Sequence, residues 1–422
     1  MNDNQNQPTE YDAVLGGVSP PPSQGVILGG IQGVKHRLNS LSLEARIAAL
    51  SEALNYGNEG LDLVTAALKD KFRKVRHAAM QLLKERREEK AKLAVQNYKF
   101  CSNFRFERLN ELPLPYGHAT TFANRKVIEV DSFPQIIDPA KTAYALRVSN
   151  DWSQEAHQSN ITILDKFQSL LKARRAKEIE ALVFGFCGYT LYPIVDILVS
   201  ARENFKNLKA VFFGDIDNSE CDSRSIILND ISKVLIAYPN LEVLKIRCSE
   251  YGLDKLAFEP LHHNKLKALI IESDKLHPEV LNEICALELP ALEYLELWLG
   301  EETDHFENLP LKPVMPIISG QRFSKLKYLG LRHSNDSVYI ALALIESSLI
   351  EQLIELDISM GNLEDDGAEF LLNCPAVHQL DTLNISLNCL SNDMVTRLKQ
   401  LDIEIICDNF TYRGERYCTA SE

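Results

Sequence analysis

The sequence predicts an α/β solenoid: a curved stack of strand–turn–helix units, parallel sheet inside and helices outside, preceded by a small all-α module. Three observations carry this. An apolar frame of the form LxxLxL recurs along the last two thirds of the chain, stretches of helical periodicity separate its copies, and the composition changes upstream of the first copy. A strand edge with two inward aliphatic residues cannot bury itself alone, so it requires neighbours of the same kind.

The copies are IEALVF from Ile179, LKAVFF from Leu208, LEVLKI from Leu241, LKALII from Leu266, LEYLEL from Leu292, LKYLGL from Leu326, LIELDI from Leu353 and LDTLNI from Leu380. Their steps of 29, 33, 25, 26, 34, 27 and 27 residues centre on the upper part of the leucine-rich-repeat range of roughly 20 to 29. Within each copy, side chains alternate, so Leu383 and Ile385 face inward together while Leu387 turns away. Between copies, LYPIVDILVSARENF, SIILNDISKVLIAY, HPEVLNEICAL, DSVYIALALIESSLI, DDGAEFLLN and SNDMVTRLKQL repeat apolar residues at three and four, the period of an amphipathic helix. Short helical crossovers make successive strands parallel.

Asn388 follows the last copy, where its amide is expected to bond turn backbone that would otherwise be buried unpaired; Gly361 and Gly300 occupy the equivalent place in two other copies, whose turns must be satisfied differently. YALRVSND from Tyr144 with ITILDKFQSLLKA reads as an atypical first unit, and LDIEIICDN from Leu401 as a closing strand.

Upstream, residues 1–27 form a Pro-rich segment, VSPPPSQG at its core. Residues 28–100 read as short amphipathic helices, with Ser42 as an N-cap and Gly57 and Gly60 marking helix ends. Residues 101–140 read as irregular linker, 141–410 as the repeat domain with its caps, and 411–422 as a tail.

Several segments resemble a bacterial leucine-rich-repeat family of the cytoplasmic, ribonuclease-inhibitor-like kind: FFGDI (212–216), LELPALEYLELWLG (287–300), LKYLGLRHSN (326–335), the run from SLIEQLIELDIS to LEDDGAEFLL (348–372), and the ending RYCTASE (416–422). The stretch from AVLGGVSPPPSQGVILGG to DKFRKVRHAAMQLLKER is similar to a HEAT-like helical module fused to various domains in photosynthetic bacteria. The resemblance implies a horseshoe of repeats after a HEAT-like module and an interaction protein, with no catalytic residue to carry over.

The 422 residues are 45% hydrophobic, enough to bury a large core, and carry a formal charge of −14. That charge opposes duplex nucleic acid as a partner of the whole chain. Nine cysteines without a CxxC pair argue against a disulfide framework or structural zinc. No stretch reaches the roughly 20 apolar residues of a membrane span, and the start MNDNQNQPTEYD has no apolar signal core. A reducing cytoplasm is the expected setting.

Catalytic signatures are missing: there is no GxxxxGK[ST], HExxH or GxSxG. His262 and His263 are adjacent and point apart, and nothing lowers the thiol pKa at Cys221–Asp222 or Cys407–Asp408. We therefore expect no enzyme, no cofactor and no metal, but a protein-binding scaffold of unknown oligomeric state.

Its partner is expected on the concave face, on the positions alternating with the inward leucines. The central rows offer Arg247, Glu272, Tyr294, Glu296, Trp298, Tyr328 and Arg332, the aromatic and arginine chemistry that anchors protein interfaces, and they are expected to be exposed. Alternatively, the insertion 301–313 folds over Trp298. A second function remains open, RNA association through the segment 69–92, where ten Lys/Arg face four Asp/Glu; a solvated helix face explains such a run equally, and it lacks stacking aromatics. An enzyme of unknown type is the third.

Overall fold

A computed structural model describes residues 29–70, 72–98, 118–131, 134–147, 162–185, 192–216, 228–248, 256–300 and 311–407. The chain divides into two compact units, residues 1–100 and 101–422.

The first unit holds helices α1 (Gly30–Leu38), α2 (Leu43–Ala53), α3 (Gly57–Ala66), α4 (Arg73–Lys84) and α5 (Glu89–Tyr98). Ser42 caps α2 by accepting from the Ala45 N–H at 3.2 Å. Their apolar stripes meet in a core that includes Val34, Leu50, Val64, Val75 and Leu83. Gly57 does mark a helix start, with φ +57°. Gly60 does not end a helix: it lies inside α3, where a Cβ would fall 1.7 Å from the Ala53 oxygen, so it sets how closely α3 approaches α2.

Among the described residues, the second unit holds one sheet of twelve strands in chain order. They are β1 (Thr121–Phe122), β2 (Arg125–Glu129), β3 (Thr142–Leu146), β4 (Ala181–Gly185), β5 (Ala210–Asp215), β6 (Val243–Cys248), β7 (Ala268–Ser273), β8 (Tyr294–Gly300), β9 (Tyr328–Ser334), β10 (Glu355–Asp357), β11 (Thr382–Asn384) and β12 (Glu404–Ile406). Only β1 and β2 pair antiparallel; every later neighbour is parallel. This is a repeat-like α/β array. It starts earlier than expected, because β1 and β2 lie within 101–140, joined by the two-residue turn Ala123–Asn124 with φ +48° and +62°. Positive φ at both positions suits the twist of a tight hairpin.

One side of the sheet is backed by helices α6 (Ile163–Lys172), α7 (Tyr192–Ser200), α8 (Ser232–Ala237), α9 (Pro278–Ala286), α10 (Met315–Ile318), α11 (Ser337–Ile345), α12 (Asp365–Leu372) and α13 (Asn392–Leu398). The repeating leucines point there. Leu182, Leu244, Leu269, Leu295, Leu329, Leu356 and Leu383 share one continuous core with Leu198, Leu235, Ile284, Leu344, Leu371 and Leu398 of the helices. Each such fully buried aliphatic side chain contributes about 1.5–3 kcal/mol.

Asn388 acts as anticipated. Its Nδ2 donates to the oxygens of Ile358 (3.0 Å) and Ile385 (3.1 Å), and its Oδ1 accepts from the Leu363 N–H (2.9 Å), so one amide stitches two successive turns. One unit earlier the same job has slid by a residue to Asn362, whose Oδ1 accepts from the Ser337 N–H (3.1 Å) and whose Nδ2 donates to the Asn335 oxygen. Gly361 stays Gly because a Cβ there would meet Ser337 Oγ at 2.0 Å and Asn388 Oδ1 at 3.0 Å. At the equivalent place of three successive units, His333 near the end of β9 and Met360 and Leu387 just after β10 and β11 all turn left-handed, with φ +54°, +61° and +56°.

The Pro-rich segment, residues 301–310 of the insertion, Cys221, Asp408 and the RYCTASE ending lie outside the described residues.

Candidate functional site

The side of the sheet away from the helices, the far face, gathers the residues singled out from the sequence. The register places Ala181, Ala210, Val243, Ala268, Tyr294, Tyr328, Glu355 and Thr382 in one row. A second row runs Val183, Phe212, Lys245, Ile270, Glu296, Gly330, Asp357 and Asn384. Arg247 pairs with Glu272, and Trp298 with Arg332, in the third. All seven predicted residues therefore share a face.

They are not exposed. Trp298 retains 6% of its surface, Arg247 4%, Glu272 3%, Tyr328 and Arg332 1%, and Tyr294 and Glu296 none. The expectation of an open row is corrected on this point. These side chains bond across strands into two groups, a condition under which charges and hydroxyls tolerate burial.

Glu296 on β8 is the hub. Its Oε2 accepts from the Tyr294 hydroxyl (2.7 Å), and its Oε1 from Trp298 Nε1 (2.9 Å) and Arg332 Nη1 (2.7 Å). The Tyr294 and Tyr328 rings stack with centroids 3.9 Å apart and planes 1° from parallel. A hydroxyl has one proton, and that of Tyr328 goes to Asp357 Oδ2 at 3.0 Å rather than to Glu296 at 3.4 Å. The Arg332 guanidinium lies over the Trp298 ring, 4.9 Å from its centroid, and donates from Nε to Ser359 Oγ at 2.9 Å. Asp357 in turn accepts from Asn384 Nδ2 (2.9 Å) and Ser359 Oγ (2.6 Å). Gly330 makes room for this: a Cβ would lie 2.8 Å from the Tyr328 hydroxyl and 3.2 Å from Glu296 Cγ.

A smaller group sits on β6 and β7. Glu272 takes Lys245 Nζ at 3.0 Å and Arg247 Nε at 2.8 Å. Burial pushes its carboxyl up, but the two cations beside it outweigh that and hold it below its ordinary value. Lys245 also lies 4.5 Å above the Phe212 ring, a favourable cation–π distance.

The sequence reading missed the buried pair Arg147–Asp215, whose Nη2–Oδ2 distance is 2.5 Å. One glycine could have flagged it. A Cβ on Gly185 would fall 2.8 Å from Arg147 Cγ and 2.9 Å from the Asp215 main-chain oxygen, so it clears the cradle; Gly214 beside it, at φ +90°, instead lets the chain pass the Arg247 oxygen, which a Cβ would meet at 2.1 Å.

Elsewhere, His263 is a buried turn element, with Nε2 against the Tyr238 oxygen (3.1 Å) and Nδ1 accepting from the Leu266 N–H (3.0 Å). Burial pushes the Cys285 thiol up to about 11, away from a nucleophile's range. Of the basic run, Arg76 is buried, and Arg86, Lys90 and Lys92 pair with Glu88, Asp62 and Glu89. Among the described residues there is no cluster of three or more metal-ligating side chains and no helix long and apolar enough to cross a membrane.

No family model matches the chain, and no curated protein matches it. A crystal structure of a Bacteroides fragilis protein, solved as a structural-genomics target, is similar: 29% identity, TM-score 0.55, over 65% of this chain and 75% of that one.

Proposed function

We propose that this chain is a non-enzymatic scaffold that binds a protein partner through the far face of leucine-rich repeats, preceded by a HEAT-like helical module, in a reducing cytoplasm. The observation that supports it best is the Glu296 hub. Aromatic and arginine side chains from adjacent strands gather around one carboxylate on one face, the residue types that anchor protein interfaces. Both carboxylates of the cluster are saturated with donors, so nothing there is poised as an acid, a base or a nucleophile's partner.

The anchors are closed on one another in the free chain. A partner engages them by exchanging its own donors and acceptors for those bonds, so association is slower than for an open patch. RNA association through 69–92 is supported less, because Arg76 is buried and Arg86, Lys90 and Lys92 each lie beside an acid.

The test is affinity capture from the native host with Trp298→Phe and Arg332→Lys, which remove the indole N–H and the guanidinium fork while keeping an aromatic ring and a positive charge. Capture of the same protein is expected to fall at least tenfold for each, and to survive high salt in the wild type. Undiminished capture by both folded variants would falsify the far-face assignment. Salt-sensitive retention of nucleic acid would favour the basic run instead.

A further inference from the structure

The segment 118–122 leaves the sheet plane. Phe122 belongs to β1, which pairs only with β2, yet its ring lies 5.7 Å from Phe212 on β5. Ala119 reaches as far: its N–H donates to Asp215 Oδ1 at 2.8 Å, and its carbonyl oxygen accepts from Arg147 Nη2 at 2.9 Å. The chain thus crosses the far face over β3 to β5, where the row residues Ala181, Val183 and Ala210 are small and apolar.

Two properties of this contact point to recognition. Arg147 and Asp215 together take both hydrogen-bonding groups of a single residue's main chain, a mode of holding that reads extended backbone and ignores the side chain, here a methyl. Arg147 uses Nε and Nη2 on Asp215 Oδ2 (2.8 and 2.5 Å), which fixes its plane and leaves Oδ1 for the incoming N–H. Three residues on, an aromatic ring enters a site whose floor is Phe212, itself overlain by Lys245 and Arg247. The strap's ladder with the sheet is short: Thr121 pairs with Lys126 and Phe122 with Arg125, the Thr120 oxygen accepts from the Val127 N–H at 2.9 Å, and the turn has a left-handed Ala123, so most of its hold comes from the buried Phe122 ring and the Ala119 bonds.

We infer that Arg147, Asp215 and Phe212 form a peptide clamp, filled in the free chain by residues 118–122, that takes an extended segment of a protein partner carrying an aromatic residue three positions after the clamped one. It is a second site on the same face and stands or falls apart from the Glu296 hub.

The experiment uses the full chain and a fluorescein-labelled peptide of sequence YGHATTFANR, residues 116–125. In a variant with Ala119→Pro and Phe122→Ala, which removes the N–H and the ring of the strap, fluorescence anisotropy is expected to report saturable binding at least tenfold tighter than to wild type. Adding Asp215→Ala, or replacing the peptide's Phe by Ala, abolishes it. Absence of saturable binding to the folded variant, or binding indifferent to both changes, overturns the clamp. If the variant does not fold, hydrogen exchange on wild type decides: amides of 118–122 exchanging well ahead of those of β4 to β6 support a displaceable strap, and joint exchange with those strands overturns it.

Discussion

Two of the buried arginines of the far face, Arg147 and Arg332, make the same first contact and differ in everything after it. Arg147 meets Asp215, and the capacity left over goes to the main chain of Ala119. Arg332 meets Glu296, and the capacity left over goes to Ser359 and the Trp298 ring, while Glu296 fills itself with Tyr294 and Trp298. One pair holds a strap and the other holds strands. An isolated buried ion pair gives little net stability because desolvation offsets the attraction. What distinguishes the two places is therefore the third party each pair engages, and each has a glycine that admits it, Gly185 for Arg147 and Gly330 for Tyr328.

The largest effect is expected from Arg332→Ala, which leaves the Glu296 and Asp357 carboxylates without their shared cation; chemical denaturation is expected to give a loss of about 3–5 kcal/mol. A cost near zero would mean that the hub is not a strut at all. Asn388→Ala removes the amide that stitches two turns and strands buried carbonyls, at about 1–3 kcal/mol, read in the same experiment. Gly330→Ala is expected to cost about 1–3 kcal/mol through overpacking and to perturb tyrosine fluorescence by unstacking Tyr294 from Tyr328. An unchanged spectrum would show that the notch is not needed for the stacked pair.

Acid acts on the far face and on the turns at separate pH. Burial lowers the His263 pKa below 6.5, so the unfolded chain binds its proton first. Stability is full above about 6.5 and is lost as pH falls below it. Glu272, also lowered in the folded chain, adds a second loss below its ordinary 4.5. Urea midpoints measured from pH 8 to 4 are expected to fall in that order, and His263→Gln is expected to flatten the first step. The smallest effect is Leu387→Gly, within about 1 kcal/mol, because relief of a left-handed backbone offsets the lost half-buried side chain; a melting shift of many degrees would show that Leu387 packs more firmly than its position suggests.

Much of this architecture was legible in the chain. The LxxLxL frame fixes alternation, so the rows through Tyr294 and Tyr328, or Glu296 and Asp357, follow once one copy is aligned on another. Exposure did not follow, because it depends on bonds such as Arg332 to Glu296 between residues 36 apart. Arg147 and Asp215 are 68 apart, and the one local sign of their link is Gly185, which reads simply as a small residue. The β1–β2 arm was hidden in a stretch read as irregular because β1 is only two residues long. Asn362 escaped notice because its role moved one place while the leucines kept theirs.

Tyr328, Glu355 and Thr382 are neighbours in the sheet and 27 residues apart along the chain, which makes residues 353–379 a cassette. Duplicating it would present the same hydrogen-bonding edge to each flank and keep Asp357 opposite Arg332. Excising it would bring Asn384 and Leu387 to where Asp357 and Met360 now meet Arg332, leaving the guanidinium without its second carboxylate. Duplication in turn would set two copies of Asp357, and two of Glu355, side by side on adjacent strands with a single Arg332 to serve them, so either change in length leaves the buried charges of this cluster unbalanced.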